Sequence, residues 1–186
     1  MAVEPGWALI LGASSGFGAA AARAFARAGL DVAGVHLDRR ATLPRAQAVA
    51  RDVEAAGRRA RWFNGNAADP ERRAEVVAAL AAERRGGPGV RVLLHSLAFG
   101  TLRPLIGKDP AAVVSPSQMA MTLEVMATSL VAWTQALVAA ELLERGARVF
   151  ALTSEGSSRA WPHYGPVGVA KAALEAAVRQ LAVELA

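Results

Sequence analysis

At 186 residues and 53% apolar content the chain is long enough for one buried core, so a single domain over residues 1–186 is expected. Zero cysteines exclude disulfides and thiolate chemistry. Three histidines, at 36, 95 and 163, lack metal-ligand spacing, so no metal is expected. The net charge of +5 comes from arginine doublets in separate segments (Arg39-Arg40, Arg58-Arg59, Arg72-Arg73, Arg84-Arg85) without interleaved aromatics. A solvated basic surface is therefore expected, with an acidic protein partner as the alternative and no nucleic acid.

Charges interrupt the apolar runs before the roughly eighteen residues that a membrane span needs. The start, MAVEPGWALILGASSG, lacks a basic n-region and leads directly into a strand. No membrane segment and no secretory signal are expected, which makes a cytoplasmic location the default.

Short apolar runs alternate with longer helical patterns, punctuated by Gly, Pro and Asp. Strands are expected at 8–13, 31–37, 59–66, 90–98 and 147–153, and helices at 18–28, 43–56, 70–84, 116–145 and 166–185. Apolar strands separated by helices indicate an α/β doubly wound parallel sheet, in which covering helices leave the strands no solvent face.

The first unit, LILGASSGFGAAAARAFARAGLDVAGVHL, runs strand, glycine-rich turn, helix, glycine stop and second strand. Gly12, Gly16 and Gly18 allow a tight turn and a close approach to a pyrophosphate, while the helix N-terminus directs N–H groups at the anion. Ser14, Ser15 and Phe17 lie among them, and all six are candidate cofactor-binding residues. At the end of the second strand, His36 is followed by Leu37, Asp38, Arg39 and Arg40. With no acid at the strand end and arginines beyond it, His36 and Arg39 are candidates for the adenosine ribose, and NADP(H) is slightly favoured over NAD(H). A shift of one or two residues would place Asp38 on the ribose and reverse that preference.

Further along, the fourth strand ends in His95-Ser96-Leu97-Ala98, and the last thirty residues hold YGPVGVAK, Tyr164 to Lys171, with the chain's only tyrosine. Together these motifs resemble the short-chain dehydrogenase/reductase family and its Rossmann fold. The His-Ser-Leu-Ala stretch and the Tyr-x6-Lys spacing are most similar to enoyl-acyl carrier protein reductases. Several expectations follow from the resemblance. Asn66 and Ala67 would contact adenine, Ser96, Leu97 and Ala98 would line the cofactor, and Lys171 would hold the nicotinamide ribose. Tyr164 would donate to a thioester carbonyl, with Thr153 or Ser154 as a second donor, because Ser154 stands where related reductases carry another tyrosine. Glu124 replaces the asparagine of ordinary members. Phe99, Leu102, Trp161 and Tyr164 are candidate walls for an acyl chain. His36, His95 and His163 are read as packing or backbone-bonded residues.

The implied activity is hydride transfer from NAD(P)H to the β-carbon of an enoyl thioester in fatty acid synthesis, with the thioester carried on an acidic acyl carrier protein. One alternative is a family member acting on a ketone or alcohol such as a 3-oxoacyl thioester; another is a non-catalytic dinucleotide-binding sensor or remnant. The resemblance also implies a homodimer or homotetramer assembled through helices 116–145 and 166–185, and it implies that the family's last two strands and substrate loop are absent from this chain.

Overall fold

The computed structural model describes residues 4–84 and 87–186; Arg85, of the fourth arginine doublet, lies outside them. By backbone contacts the chain divides into two compact units, Met1–Ser96 with Trp133–Phe150, and Leu97–Ala132 with Ala151–Ala186.

The first unit is built on a sheet whose order is β3-β2-β1-β4-β5, from β1 (Trp7–Leu11), β2 (Asp31–His36), β3 (Ala60–Asn64), β4 (Val90–His95) and β5 (Leu143–Ala151). The β1–β2, β1–β4 and β2–β3 pairs are parallel. Helices α1 (Gly16–Arg27), α2 (Leu43–Ala55) and α3 (Pro70–Arg84) make the crossovers. The strand order reverses at β1, so right-handed crossovers send α1 and α2 to one face and α3 to the other. Trp7, Leu9, Ile10, Leu11 and Leu93 form the centre of the core. Helix α1 turns Ala19, Ala22 and Ala26 toward it, and such short side chains let a helix lie close to a sheet.

The expectation that no strand keeps a solvent face holds for β1, β2 and β4 only. At the sheet's edges β3 and β5 are half-exposed, since an edge strand lacks one neighbour and part of its cover. All five strands also stop earlier than the apolar runs suggest. β1 ends at Leu11 because Gly12, at φ 92°, turns the chain, and β4 ends at His95.

The larger correction concerns the long helix. Instead of running over 116–145, it comprises α4 (Pro116–Leu123), a π-helical turn (Glu124–Thr128) and α5 (Ser129–Ala139), after which β5 begins at Leu143. Its start carries a full capping box, with Ser115 Oγ accepting from the Gln118 N–H and Gln118 Oε1 accepting from the Ser115 N–H. Its end is a Schellman turn: Leu142 N–H donates to Leu137 O and Glu141 N–H to Val138 O, with Glu141 left-handed at φ 53°. Helices α1 and α2 end the same way on Gly29 and Gly57. A glutamate in that role carries no stop signal in the sequence, which is why the helix pattern runs on past it.

This 24-residue helix, Pro116–Ala139, has a mean hydropathy of 1.2 over its most apolar window, half of which is buried. By length and composition it is apolar enough to cross a membrane, although the charge of Glu124 interrupts it as expected. Yet Leu130, Trp133 and Leu137 are fully buried, and the Trp133 indole donates to Ala67 O at 2.7 Å, as in a core helix.

In the second unit, a loop after β4 leads to α4, and a short 3-10 turn (Glu155–Ser157) leads to α6 (Gly165–Glu184). Thr122, fully buried on α4, ties the loop down by accepting from Thr101 N–H and donating to Gln118 O.

Candidate functional site

Two groups of residues carry chemistry, one in each unit. In the first, the chain leaves β1 through Gly12, whose N–H donates to Val35 O, and enters α1 at Gly16, at φ 52°. A Cβ on Gly18 would lie 2.0 Å from Gly12 O, so only glycine lets α1 start this close to the turn. Ser15 caps α1 in extended conformation without a side-chain hydrogen bond, and the first turn holds no acid. The N–H groups of that turn are therefore left for an anion, and a Cβ on Gly16 would meet open space. This geometry fits a dinucleotide's pyrophosphate.

The strand-end expectations change. His36 is buried, and its Nδ1 pairs with Asp38 Oδ2 at 2.8 Å, so that nitrogen is occupied. Asp38, the alternative at the strand end, lies beside it, half-buried. Asn64 grips its backbone on both sides, accepting from Asp38 N–H and donating to Asp38 O. Burial raises the Asp38 pKa, but hydrogen bonds from Thr42, Ser14 and His36 outweigh it and hold the carboxyl below its usual range. An ionised carboxylate thus stands beside the glycine-rich turn. Arg39 and Arg40 are exposed. Phe17 is 82% exposed. The Asn66 side chain accepts from Ala68 N–H in the turn before α3, and Ala67 is buried with its carbonyl bound to Trp133. Ser96 N–H donates to Leu11 O, extending β4's pairing.

The second group lies at the start of α6. Tyr164 is its N-cap residue, followed by Gly165 and Pro166 in the first turn, where proline's missing N–H is harmless. Left-handed His163, at φ 64°, bends the chain into this cap. The Tyr164 hydroxyl lies 3.0 Å from Ser154 Oγ. Its ring rests against Gly156, where an added Cβ would come within 2.3 Å of it, and meets Trp161 edge-on at 5.5 Å. Gly168 allows the Gly156 carbonyl equally close to α6. Neither Gly156 nor Gly168 is distinguishable in sequence from an ordinary turn or helix glycine.

Lys171, two turns further on, is 4% exposed and donates to Leu97 O at 3.2 Å and Leu152 O at 2.7 Å. Burial lowers its pKa to about 8. An ammonium has three N–H bonds, so one donor is left. Leu97 thus supplies a carbonyl to the lysine. Thr153, paired with Ser154 in the sequence reading, turns away and donates to Glu175. Glu124 is exposed on the π turn.

A cavity of about 330 Å³ opens beside Tyr164, lined among others by Trp161, Arg159, Gly165, Gly168 and Val169. Of the four expected pocket residues, Trp161 and Tyr164 line it. Phe99 and Leu102 do not; both are exposed on the loop after β4, and Leu105 of that loop packs on Gly165 instead.

A sequence model of the family described as "Enoyl-(Acyl carrier protein) reductase" matches residues 12–186. The enoyl-acyl-carrier-protein reductase (NADH) 1 of Rhizobium meliloti (strain 1021) is 35% identical over 105 residues, 56% of this chain and 37% of that protein. The enoyl-acyl-carrier-protein reductase (NADH) FabI of Enterococcus faecalis is 37% identical over 94 residues, 50% of this chain and 36% of that protein. The match thus spans little more than a third of the length of these curated relatives. A solved short-chain dehydrogenase from Burkholderia cenocepacia J2315, in complex with NADP, superposes with a TM-score of 0.78 at 31% identity, covering 96% of this chain and 67% of that one.

Proposed function

Because the chain belongs to the short-chain dehydrogenase/reductase family of oxidoreductases, we propose that it serves the reduction of an enoyl thioester by a nicotinamide dinucleotide. The observation that carries the reductase reading is the Tyr164–Ser154 hydroxyl pair, held at a helix cap two turns ahead of a buried lysine with one donor to spare, and likeness to enoyl reductases favours the enoyl substrate.

When bound, the dinucleotide supplies the hydride. The chain's own residues do the rest. The glycine-rich turn and the first N–H groups of α1 hold the pyrophosphate. Asp38 accepts from the adenosine ribose hydroxyls, and its negative charge opposes a 2′-phosphate, so NAD(H) replaces NADP(H) as the preferred form. The names of both curated relatives specify NADH, which agrees, although the Burkholderia structure holds NADP. Lys171 gives its third N–H to the nicotinamide ribose. Tyr164 Oη donates to the thioester oxygen, stabilising the negative charge that develops there as hydride reaches the β-carbon, and the enolate so formed takes a proton from water at its α-carbon. Ser154 fixes the direction of that phenol. The basic surface, at a net charge of +5, suits delivery of the thioester by an acidic carrier protein.

A second reading rests on the same hydroxyl pair. Ser154 fills the position of a second tyrosine and bonds Tyr164, which equally suits a ketone or alcohol substrate. Crotonyl and acetoacetyl thioesters, offered with NADH and followed by loss of nicotinamide absorbance, separate the two. Turnover of crotonyl thioester is expected. Turnover of acetoacetyl thioester alone would overturn the enoyl reading, and tight NADH binding without turnover of either would mean a sensor or remnant.

The lysine also predicts a pH dependence. Below about 8 Lys171 is an ammonium with three donors. As pH rises through that value, the neutral amine keeps two N–H bonds, both needed by Leu97 O and Leu152 O, and none remains for the ribose. A pH profile of kcat/KM for NADH should therefore fall on its alkaline side with a midpoint near 8. A profile flat from pH 7 to 10 would contradict this role.

A further inference from the structure

Glu175 lies one turn beyond Lys171 on α6 and reaches the segment that carries Ser154. Its Oε1 accepts from Thr153 Oγ1 at 2.5 Å, and the Ser157 hydroxyl lies near enough to the same carboxylate to favour its ionised form. Thr153 and Ser157 stand at the two ends of a five-residue segment with Ser154 inside it. Within that segment Gly156 N–H donates to Ser154 Oγ at 3.2 Å, and Ser157 N–H donates to Ser154 O at 2.9 Å. The segment is therefore closed on itself around Ser154 and anchored to α6 through Thr153, with the Ser157 hydroxyl beside the same carboxylate. The carboxyl of Glu175 is held below its usual range by the hydrogen bonds from Thr153 and then Ser157, which outweigh the opposing effect of burial, and Arg179 one turn on adds to this. It is an anion at neutral pH.

We propose that Glu175 is a positioning residue for the reaction, its carboxylate clamping Thr153 and Ser157 so that the Ser154 hydroxyl meets the Tyr164 hydroxyl. This rests on the reductase reading above. It also accounts for the Thr153 hydroxyl, which the clamp uses and the substrate does not.

The test exploits the single tyrosine. Tyrosine labelled with ¹³C at Cζ gives one resonance, that of Tyr164. Ser154→Ala removes its hydroxyl partner and sets the reference shift. Glu175→Ala should move the resonance toward that reference and lower kcat for crotonyl thioester by about tenfold, with KM for NADH changed less than about twofold. Glu175→Gln, which keeps an acceptor, should stay near the wild type in both. Thr153→Val with Ser157→Ala should reproduce Glu175→Ala, and adding Glu175→Ala to that pair should cost nothing more, because all three changes break one clamp. This pair also decides the matter if Glu175→Ala alone does not fold. A Tyr164 resonance that remains at its wild-type position in Glu175→Ala, or in the Thr153/Ser157 pair, overturns the proposal. If the wild type turns over no thioester, the reductase reading fails, while the resonance still decides what Glu175 does.

Discussion

Replacing Tyr164 by phenylalanine is expected to lower kcat for an enoyl thioester by about 10²–10³-fold while leaving NADH affinity nearly unchanged. The substitution removes one oxygen and little else. The ring keeps its seat against Gly156 and its edge contact with Trp161, so the cap of α6 survives. Lost are the donor to the substrate oxygen and the 3.0 Å contact that satisfies Ser154 Oγ. That second loss should cost about 1 kcal/mol of stability, a shift of a few degrees in thermal midpoint for a chain of this size. Ser154→Ala keeps the phenol and loses its orientation, so a smaller drop, about tenfold, is expected. The ordering matters more than either value. Were Ser154→Ala to cost more than Tyr164→Phe, the serine hydroxyl itself would be the principal donor, and the phenol would be its support. Steady-state kinetics on both variants, with NADH binding measured by fluorescence, separates the cases.

What was readable in the sequence follows from where each signal resides. Helix α3 occupies the span its periodicity gives, Pro70–Arg84, because proline opens it and polar residues bound it. The glycine-rich turn is readable because its glycines answer to local backbone geometry, such as φ 92° at Gly12. Glu141 is the opposite case. It ends a helix in a left-handed conformation that glutamate does not announce, and Leu-Leu-Glu-Arg after it continues a helical pattern while the chain enters β5. The functional groups divide in the same way. Tyr164 and Lys171 form a motif along the chain. Asp38 was visible as a possibility, but its standing depends on Asn64, Ser14 and Thr42, brought to it by three different segments. Thr153 and Ser154 are adjacent in sequence and equal as hydroxyls; only the position of Glu175, twenty-two residues later, assigns one to the clamp and the other to the tyrosine. Phe99 and Leu102 do not line the cavity beside Tyr164, because an apolar residue after a strand says nothing about which surface its loop will cover.

The other large effect belongs to Gly18. An alanine there would bring its Cβ to 2.0 Å from Gly12 O and 2.9 Å from Gly12 C, distances at which backbone, not a flexible side chain, must yield. Gly12 has little freedom to move, because its own N–H is bonded to Val35 O at 2.8 Å and Ala13 N–H to the same oxygen at 3.1 Å. The start of α1 must then shift away from the turn, moving the N–H groups of its first turn. Gly18→Ala should therefore cost about 1–3 kcal/mol of stability, as overpacking does, and weaken NADH binding by tenfold or more, because an anion held by converging N–H groups is sensitive to shifts of about 1 Å. Gly16 supplies the contrast. Its φ of 52° is also unusual, but a Cβ there meets nothing within 4 Å, so Gly16→Asn, a residue that tolerates the left-handed region, should fold with little loss. Thermal unfolding and an NADH titration on both variants give the comparison. If Gly18→Ala binds NADH as the wild type does, close approach is not what this glycine provides, and the pyrophosphate is held by other groups.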